Sequence, residues 1–285
     1  MNTRAPEIHA MEPREREIRL GGLRFQYVEW GDSGSPALIL LHGFGSHARS
    51  WDHVGLALAD RFRVLALDQR GHGDSDRARD GDYTIRAMAG DVEAFAAALC
   101  PRRFSLLGLS MGGRISIAYT ASHLRRVERL VLVDIGPEIA PEGLARIQTT
   151  VSNVPEELKS EEQAYRLLRA AVPRYSEALL RHRLRHSFNR LPNGTLTWKY
   201  DKVLRDQTRE RTRDLPNLWP DLARITRPTL IVRGAESDVL TPEIAKRMLE
   251  TLKDGRLVEI PDAGHTVPGD QPEAFIKAVR AFLKP

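Results

Sequence analysis

A serine between two glycines near the middle of the chain stands in a setting that can make its hydroxyl a nucleophile. The pentapeptide Gly108-Leu109-Ser110-Met111-Gly112 follows an apolar stretch and precedes a helix-like segment. A sharp strand–turn–helix connection presents such a serine above a sheet, in a strained backbone conformation that costs about 1–3 kcal/mol. Side chains at the two glycine positions would clash where the strand and the helix pass closely. We therefore predict that Ser110 is a nucleophile.

A nucleophilic serine needs a general base and a group that orients this base. His265 follows a strand-like stretch on a glycine-containing loop, and we predict that it is the base. Asp238 lies on the loop after another apolar stretch, and we predict that it is the orienting acid. Asp134, at the end of the apolar stretch that follows the serine segment, is an alternative acid, and Glu236 is another.

The negative oxygen that forms when a serine attacks a carbonyl needs hydrogen-bond donors. The apolar run 37–41 ends in His42-Gly43-Phe44-Gly45, whose glycines let the backbone bend towards a substrate. The Met111 N–H stands at a helix start, where the helix dipole favours negative charge. We predict that the Phe44 and Met111 N–H groups form an oxyanion hole, and that His42 and Gly43 lie beside the substrate.

Together these motifs resemble those of the α/β-hydrolase superfamily, above all its capped esterase, lactonase and C–C hydrolase branch. The chain order Ser, Asp, His is that of this superfamily. The string Gly108–Gly113 is similar to that of enol-lactonases and cofactor-free haloperoxidase-like esterases. Ser110 argues against haloalkane dehalogenases and epoxide hydrolases, which use an aspartate nucleophile. The matching motifs are His42-Gly43-Phe44-Gly45, Asp68 to Ser75, Gly108 to Gly113, Gly234 with Asp238, Gly264-His265 and Gln271-Pro272-Glu273.

Alternating strand and helix patterns predict an α/β fold with a mostly parallel sheet covered on both faces. The resemblance implies the α/β-hydrolase fold, with eight strands. A hairpin is expected around Gly21-Gly22. We predict further strands at 37–41, 63–67, 103–109, 127–133, 229–233 and 256–260, and helices at about 50–60, 84–99, 111–122, 241–252 and 271–283.

The stretch 136–216 is too long to be a simple loop. Its pattern predicts helices at about 141–151, 155–172 and 176–188. The resemblance implies a helical cap here, between a first core part at 1–135 and a second at 217–285. A cap shapes the substrate pocket, so we expect Tyr165, Trp198 and Tyr200 to line it.

Two histidines in the predicted cap, His182 and His186, have the i, i+4 spacing of a zinc site. No HExxH carboxylate accompanies them, and arginines flank them. We therefore expect no metal. The resemblance likewise implies no cofactor.

Composition is that of an ordinary enzyme. Of the 285 residues, 41% are hydrophobic, and the single Cys100 cannot form an internal disulfide. No apolar run approaches the roughly 18 residues of a membrane span, and the segment 1–17 lacks the apolar core of a signal peptide. The net charge of +5 is not accompanied by a basic face interleaved with aromatic residues. We expect a cytoplasmic monomer or homodimer that binds neither nucleic acid nor membrane.

The resemblance and the predicted site imply hydrolysis of a small-molecule ester or lactone through an acyl-enzyme. C–C bond hydrolysis or acyl transfer would use the same three side chains. A non-catalytic ligand receptor on this fold is the alternative from another class. Turnover of a simple ester separates the enzyme from the receptor.

Overall fold

The structure of the protein is a computed structural model that describes residues 13–211 and 215–283. The predicted absence of a signal peptide concerns a segment of which residues 1–12 lie outside the described part. Among the described helices, none combines the length and the apolar composition that crossing a bilayer requires.

An eight-stranded sheet forms the centre of the fold, in the order β1-β2-β4-β3-β5-β6-β10-β11. The pairs β1–β2 and β2–β4 are antiparallel and the other neighbours are parallel, as predicted. The strands are β1 Arg14–Leu20, β2 Leu23–Trp30, β3 Ala37–Leu41, β4 Arg63–Leu67, β5 Phe104–Leu109, β6 Val127–Val133, β10 Thr229–Gly234 and β11 Gly255–Ile260.

Helices cover both faces of this sheet. One apolar cluster contains side chains of α2, α3, α8 and α9, and a second, on the other side, contains side chains of α1 and α11. A 3-10 turn at Ala48–Trp51 precedes α1, and a short helix α10 precedes α11. The helices of the two flanks are α1 Asp52–Leu58, α2 Ile85–Leu99, α3 Met111–Ser122, α8 Trp219–Arg224, α9 Pro242–Thr251, α10 Val267–Asp270 and α11 Pro272–Phe282.

Strand β3 shows why the sequences of the central strands are continuous apolar runs. Ile39 and Leu41 belong to the first cluster, whereas Leu38 and Leu40 belong to the second. Because successive side chains of a strand point to opposite faces, a strand covered on both faces needs apolar residues at every position.

The stretch 136–216, which we call the insertion, contains α4 Pro141–Ser152, α5 Glu161–Ala171, α6 Glu177–Ser187 and α7 Lys202–Arg211. Its strands β7 Glu157–Leu158, β8 Phe188–Arg190 and β9 Leu196–Trp198 form a small antiparallel sheet. A separate apolar cluster joins this sheet to α5 and α6. The predicted helix at 155–172 was too long, because the chain first pairs as β7 and α5 starts only after Ser160, whose hydroxyl caps the helix.

Candidate active site

Ser110 stands at the junction of β5 and α3 with φ 54° and ψ −118°. Few residues other than glycine adopt such a backbone conformation. A Cβ on Gly108 would lie 2.3 Å from the Gly112 carbonyl oxygen, and one on Gly112 would lie 2.4 Å from the Leu41 carbonyl oxygen. Both glycines are therefore required for strand, turn and helix to pack this closely, which was the sequence argument for the turn.

His265 lies on the loop between β11 and α10, at the same edge of the sheet. Its Nε2 is 3.0 Å from Ser110 Oγ, and its Nδ1 is 2.8 Å from Asp134 Oδ2. The structure thus joins hydroxyl, imidazole and carboxylate in one hydrogen-bonded chain. In such a chain the imidazole can accept the serine proton while the carboxylate fixes its tautomer.

Asp134 is held by several donors. It follows β6 directly, has a left-handed φ of 49° and is fully buried. Its Oδ1 accepts the N–H of Gly234 at 2.9 Å, and its Oδ2 also accepts a short hydrogen bond from the Ser237 hydroxyl. These bonds leave the carboxylate one orientation, towards His265.

The prediction that Asp238 is the orienting acid is wrong in this structure. The side chain of Asp238 accepts two hydrogen bonds from the Arg146 guanidinium, which lowers the pKa of this carboxyl group, and it is 37% exposed. The reason lies in the turn after β10, which points the preceding Ser237 hydroxyl at Asp134. The next side chain then turns outwards. Glu236 pairs with Arg174 instead.

The predicted oxyanion donors lie at the serine. Phe44 lines both cavities that reach Ser110, and Met111 is the first residue of α3. An added Cβ on Gly43 would stand 3.3 Å from Ser110 Cβ, so this part of the backbone passes close to the hydroxyl. Within the described residues, neither the Phe44 nor the Met111 N–H donates to another protein group. Both remain available for an oxygen of a substrate.

His42 does not lie beside the substrate as predicted. Its ring is fully buried, with Nδ1 2.8 Å from the Gly43 carbonyl oxygen, while Nε2 accepts the N–H of Gln69. Burial, and then the nearby His72, keep the pKa of His42 well below its usual value. This neutral imidazole ties the Phe44 loop to the loop after β4. Gly43, in contrast, lines the smaller cavity.

The three aromatic residues expected to line the pocket do not line either cavity. Tyr165 donates to Glu177 and packs on the apolar cluster of the insertion. Trp198 donates its Nε1–H to the Pro155 carbonyl oxygen. The ring of Tyr200 stands 5.6 Å from that of Phe44, so it packs against the Phe44 loop. Sequence alone could not separate these roles, because aromatic residues serve cluster and pocket alike.

Two cavities meet at Ser110. The larger has a volume of about 1020 Å³ and follows one face of α3, from Met111 through Arg114 and Ala118 to Ser122. The insertion and the following segment contribute apolar side chains to its wall near the serine. These include Ile139, Leu144, Ile147 and Leu218.

The smaller cavity has a volume of about 180 Å³. Ser110 and His265 form its inner wall, and the insertion contributes Arg146, Tyr175 and Arg183. His265 does not line the larger cavity. His265 therefore faces the smaller cavity, whereas Ser110 faces both cavities.

A model of the alpha/beta hydrolase family matches residues 38–278. This match covers most of the chain. The protein belongs to the alpha/beta hydrolase family. The chain is similar to an esterase of Mycobacterium tuberculosis (30% identity over 99% of this chain and 93% of the relative) and to a 3-hydroxybutyrate-oligomer hydrolase of Cupriavidus necator (31%; 85% and 87%). The crystal structure of E-2-(acetamidomethylene)succinate hydrolase superposes with a TM-score of 0.88 at 26% identity, covering 95% of this chain and 99% of the other.

Some residues around Ser110 in this alpha/beta hydrolase could not be predicted from the sequence. Arg146, Tyr175 and Arg183 carry no local signal, since they fall among many polar residues on helices and turns of the insertion. The two histidines of the candidate zinc pair have other partners. His182 Nε2 lies 3.1 Å from Asp52 Oδ2, and the ring of His186 lies 4.7 Å from that of His182, tilted by 51°. Within the described residues, no three His, Cys, Asp or Glu side chains are grouped as metal ligands would be.

Proposed function

We propose that the protein is a serine hydrolase that cleaves small-molecule carboxylic esters, lactones included, through an acyl-enzyme. The observation that carries this proposal is the chain of hydrogen bonds from Ser110 through His265 to the buried Asp134. The esterase and oligomer-hydrolase relatives support hydrolysis of an ester.

The reaction starts when Ser110 Oγ attacks the ester carbonyl carbon and gives its proton to His265 Nε2. The Phe44 and Met111 N–H groups stabilise the negative oxygen of the tetrahedral intermediate. As the intermediate collapses, the bond to the leaving oxygen breaks, and His265 protonates this oxygen. Water then attacks the acyl-enzyme in the same manner, with His265 as base. Asp134 stabilises the imidazolium in both halves.

The two cavities indicate how the substrate is oriented. Because the leaving oxygen takes its proton from His265, it must lie on the side of the smaller cavity, which His265 lines. The acyl group then occupies the larger cavity. From Met111 to Ser122 this cavity follows α3 for about 17 Å at 1.5 Å per residue, which suits an extended apolar acyl group.

The insertion acts as the cap over the site in this proposal. It supplies walls of both cavities, among them Leu144 and Ile147 of α4. A lid of this kind excludes water from the reacting atoms and determines which acyl groups fit.

Steady-state hydrolysis of p-nitrophenyl esters with two to twelve acyl carbons tests the proposal. We expect sustained turnover, a preference for medium or long acyl groups, and loss of turnover in Ser110→Ala. A single slow turnover that leaves a persistent adduct would favour a receptor on this fold. No reaction with any of these esters or with simple lactones would contradict the proposed function.

A further inference from the structure

The smaller cavity contains a positive charge that its surroundings do not neutralise. Arg183 of α6 lines this cavity, and within the described residues no carboxylate pairs with it. The buried Nε of its guanidinium has no hydrogen-bond partner there. Its guanidinium lies against the ring of Tyr175, with Cζ 5.9 Å from the ring centroid. Tyr175, whose hydroxyl also interacts with the guanidinium, is neutral and cannot balance its charge. The Nη groups of Arg183 therefore keep donors for a ligand.

The other polar side chains that line the smaller cavity do not cancel the positive charge of Arg183. Arg146 is already neutralised by its paired hydrogen bonds with Asp238. His53 is bonded to the Pro268 carbonyl oxygen, and burial lowers the pKa of its imidazole. No Asp or Glu side chain belongs to the described wall. Among the side chains of the described wall, Arg183 is therefore the positive charge that no carboxylate pairs with, and it lies in the same cavity as Ser110 and His265.

We infer that the smaller cavity binds a carboxylate on the leaving group, so that the preferred substrates are esters of short hydroxy acids. This inference rests on the proposed function. Arg183 would donate to the carboxylate while His265 protonates the hydroxyl oxygen released from the acyl group. A guanidinium is the side chain best suited to a planar carboxylate, since it offers several donors in one plane.

The size of the cavity limits the leaving group. A volume of about 180 Å³ has room for a group of several heavy atoms. A hydroxy acid of two to four carbons fits this space. The acyl side has a cavity several times larger.

Two esters of the same shape test the inference. Hexanoyl glycolate ends in a carboxylate, and hexanoyl glycolamide ends in a neutral amide of nearly the same size. We expect wild-type kcat/KM for the glycolate ester to exceed that for the glycolamide ester roughly 10- to 100-fold, the range of a charge-assisted hydrogen bond. In Arg183→Gln the ratio of the two values should fall close to one, and Arg183→Lys should keep part of it.

Arg185→Gln is the matched control, because Arg185 is exposed on the same helix. It should leave the ratio unchanged. Inhibition of the wild-type enzyme gives a second measurement that does not depend on folding of a variant: glycolate should compete with substrate, and glycolamide should not. A wild-type ratio near one, or an unchanged ratio in a folded Arg183→Gln protein, would overturn the inference. If the inference is overturned but p-nitrophenyl hexanoate is still hydrolysed, the proposed function stands. If no ester is hydrolysed, the proposed function and the inference both fail.

Discussion

Ser110 can stand at this tight turn because the residues two positions before and after it are glycines. Its left-handed backbone brings β5 and α3 so close that only glycine fits at 108 and 112. The strain is held by the packing of the sheet on the helix, and strain of this kind clusters at functional sites. The rigid turn thereby exposes the hydroxyl to both cavities.

Removing the hydroxyl tests its role. Ser110→Ala should keep the fold and lose roughly 10⁴- to 10⁶-fold in kcat for a p-nitrophenyl ester, as other serine triads do. A phosphonate probe should label wild-type Ser110 and not the variant. Labelling of a different serine, or an active variant, would end the assignment.

The choice between the two aspartates gives a sharper prediction. Asp134→Asn should reduce kcat by about 10⁴-fold, because an amide at this position favours the wrong His265 tautomer. Asp238→Asn should cost far less, since Asp238 bonds to Arg146 instead. We would measure both on the same ester and verify folding by circular dichroism. The opposite ranking would restore Asp238 as the acid.

At the scale of elements, the insertion packs against α10, the short helix that follows the His265 loop. The ring of Tyr175 occupies the space where a Gly269 side chain would be: an added Cβ would lie 2.0 Å from the ring. Beside it, Arg174 pairs with Glu236 on the turn after β10. The insertion thus packs beside the loop that carries His265.

Gly269→Ala should displace Tyr175 and with it this part of the insertion. We expect kcat/KM to fall roughly 10-fold or more, because small displacements of the reacting atoms have effects of this size. The melting temperature should fall only slightly. Arg185→Gln is a suitable control, since Arg185 is exposed on α6 of the insertion. Full activity of Gly269→Ala would show that this contact is dispensable.

Arg114 of α3 fastens both ends of the insertion. Its guanidinium donates to the carbonyl oxygens of Gly136 and Pro137 at the start and of Pro216 at the end. The side chain is buried, which lowers its pKa to about 10, and no carboxylate among the described residues pairs with it. An arginine one turn beyond the serine therefore holds the two boundaries of the insertion together.

Arg114→Gln should release these boundaries. Hydrogen exchange should already be faster in the insertion than in β3 and β5 of the wild type, because lids come from the less stable parts of a fold. The variant should accelerate exchange in the insertion further and leave the two strands unchanged. Slower exchange in the wild-type insertion than in these strands would identify it as a structural layer and weaken its role in selectivity.

At the scale of the whole molecule, buried histidines couple stability to pH. Five histidines have a pKa below the usual value, chiefly through burial: His42, His47, His53, His72 and His186. In the unfolded chain they take up protons below about pH 6.5, whereas in the folded state His72 and His186 do so only near pH 4. Their contribution to stability is therefore complete above pH 6.5 and is lost as the pH falls. Four groups with a raised pKa act in the opposite direction: Asp68, whose pKa is raised to about 7, Asp91, Asp270 and His182.

The five histidines with a lowered pKa outnumber these four groups, so we expect the free energy of unfolding to fall between pH 6.5 and 5.5. Each net proton contributes up to about 1.4 kcal/mol per pH unit. Urea unfolding at the two pH values measures the loss, and His47→Asn should reduce it, because His47 is buried between the core and the insertion. A stability that is constant or rises on acidification would contradict this.

Most of the fold could be predicted from the sequence. The apolar runs at 37–41, 63–67 and 127–133 became β3, β4 and β6 with these bounds, and 111–122 became α3. The Ser110 turn and the His265 loop were also found correctly. These features depend on local patterns, since periodicity reports burial and glycine spacing reports close backbone contact. The division into a core and a cap at 136–216 remains a prediction.

Only the tertiary structure decided which residues meet Ser110 and His265. Strands β6 and β10 are neighbours and end at the same edge, so both Asp134 and Asp238 were in reach of the histidine. The curvature of one turn, which points Ser237 inwards, settled the choice. The inward position of His42 and the cavity walls at Arg146 and Arg183 depend likewise on contacts between segments far apart in the chain. Local sequence patterns determine strands, helices and turns, but which side chains converge at one point depends on packing that no single segment encodes.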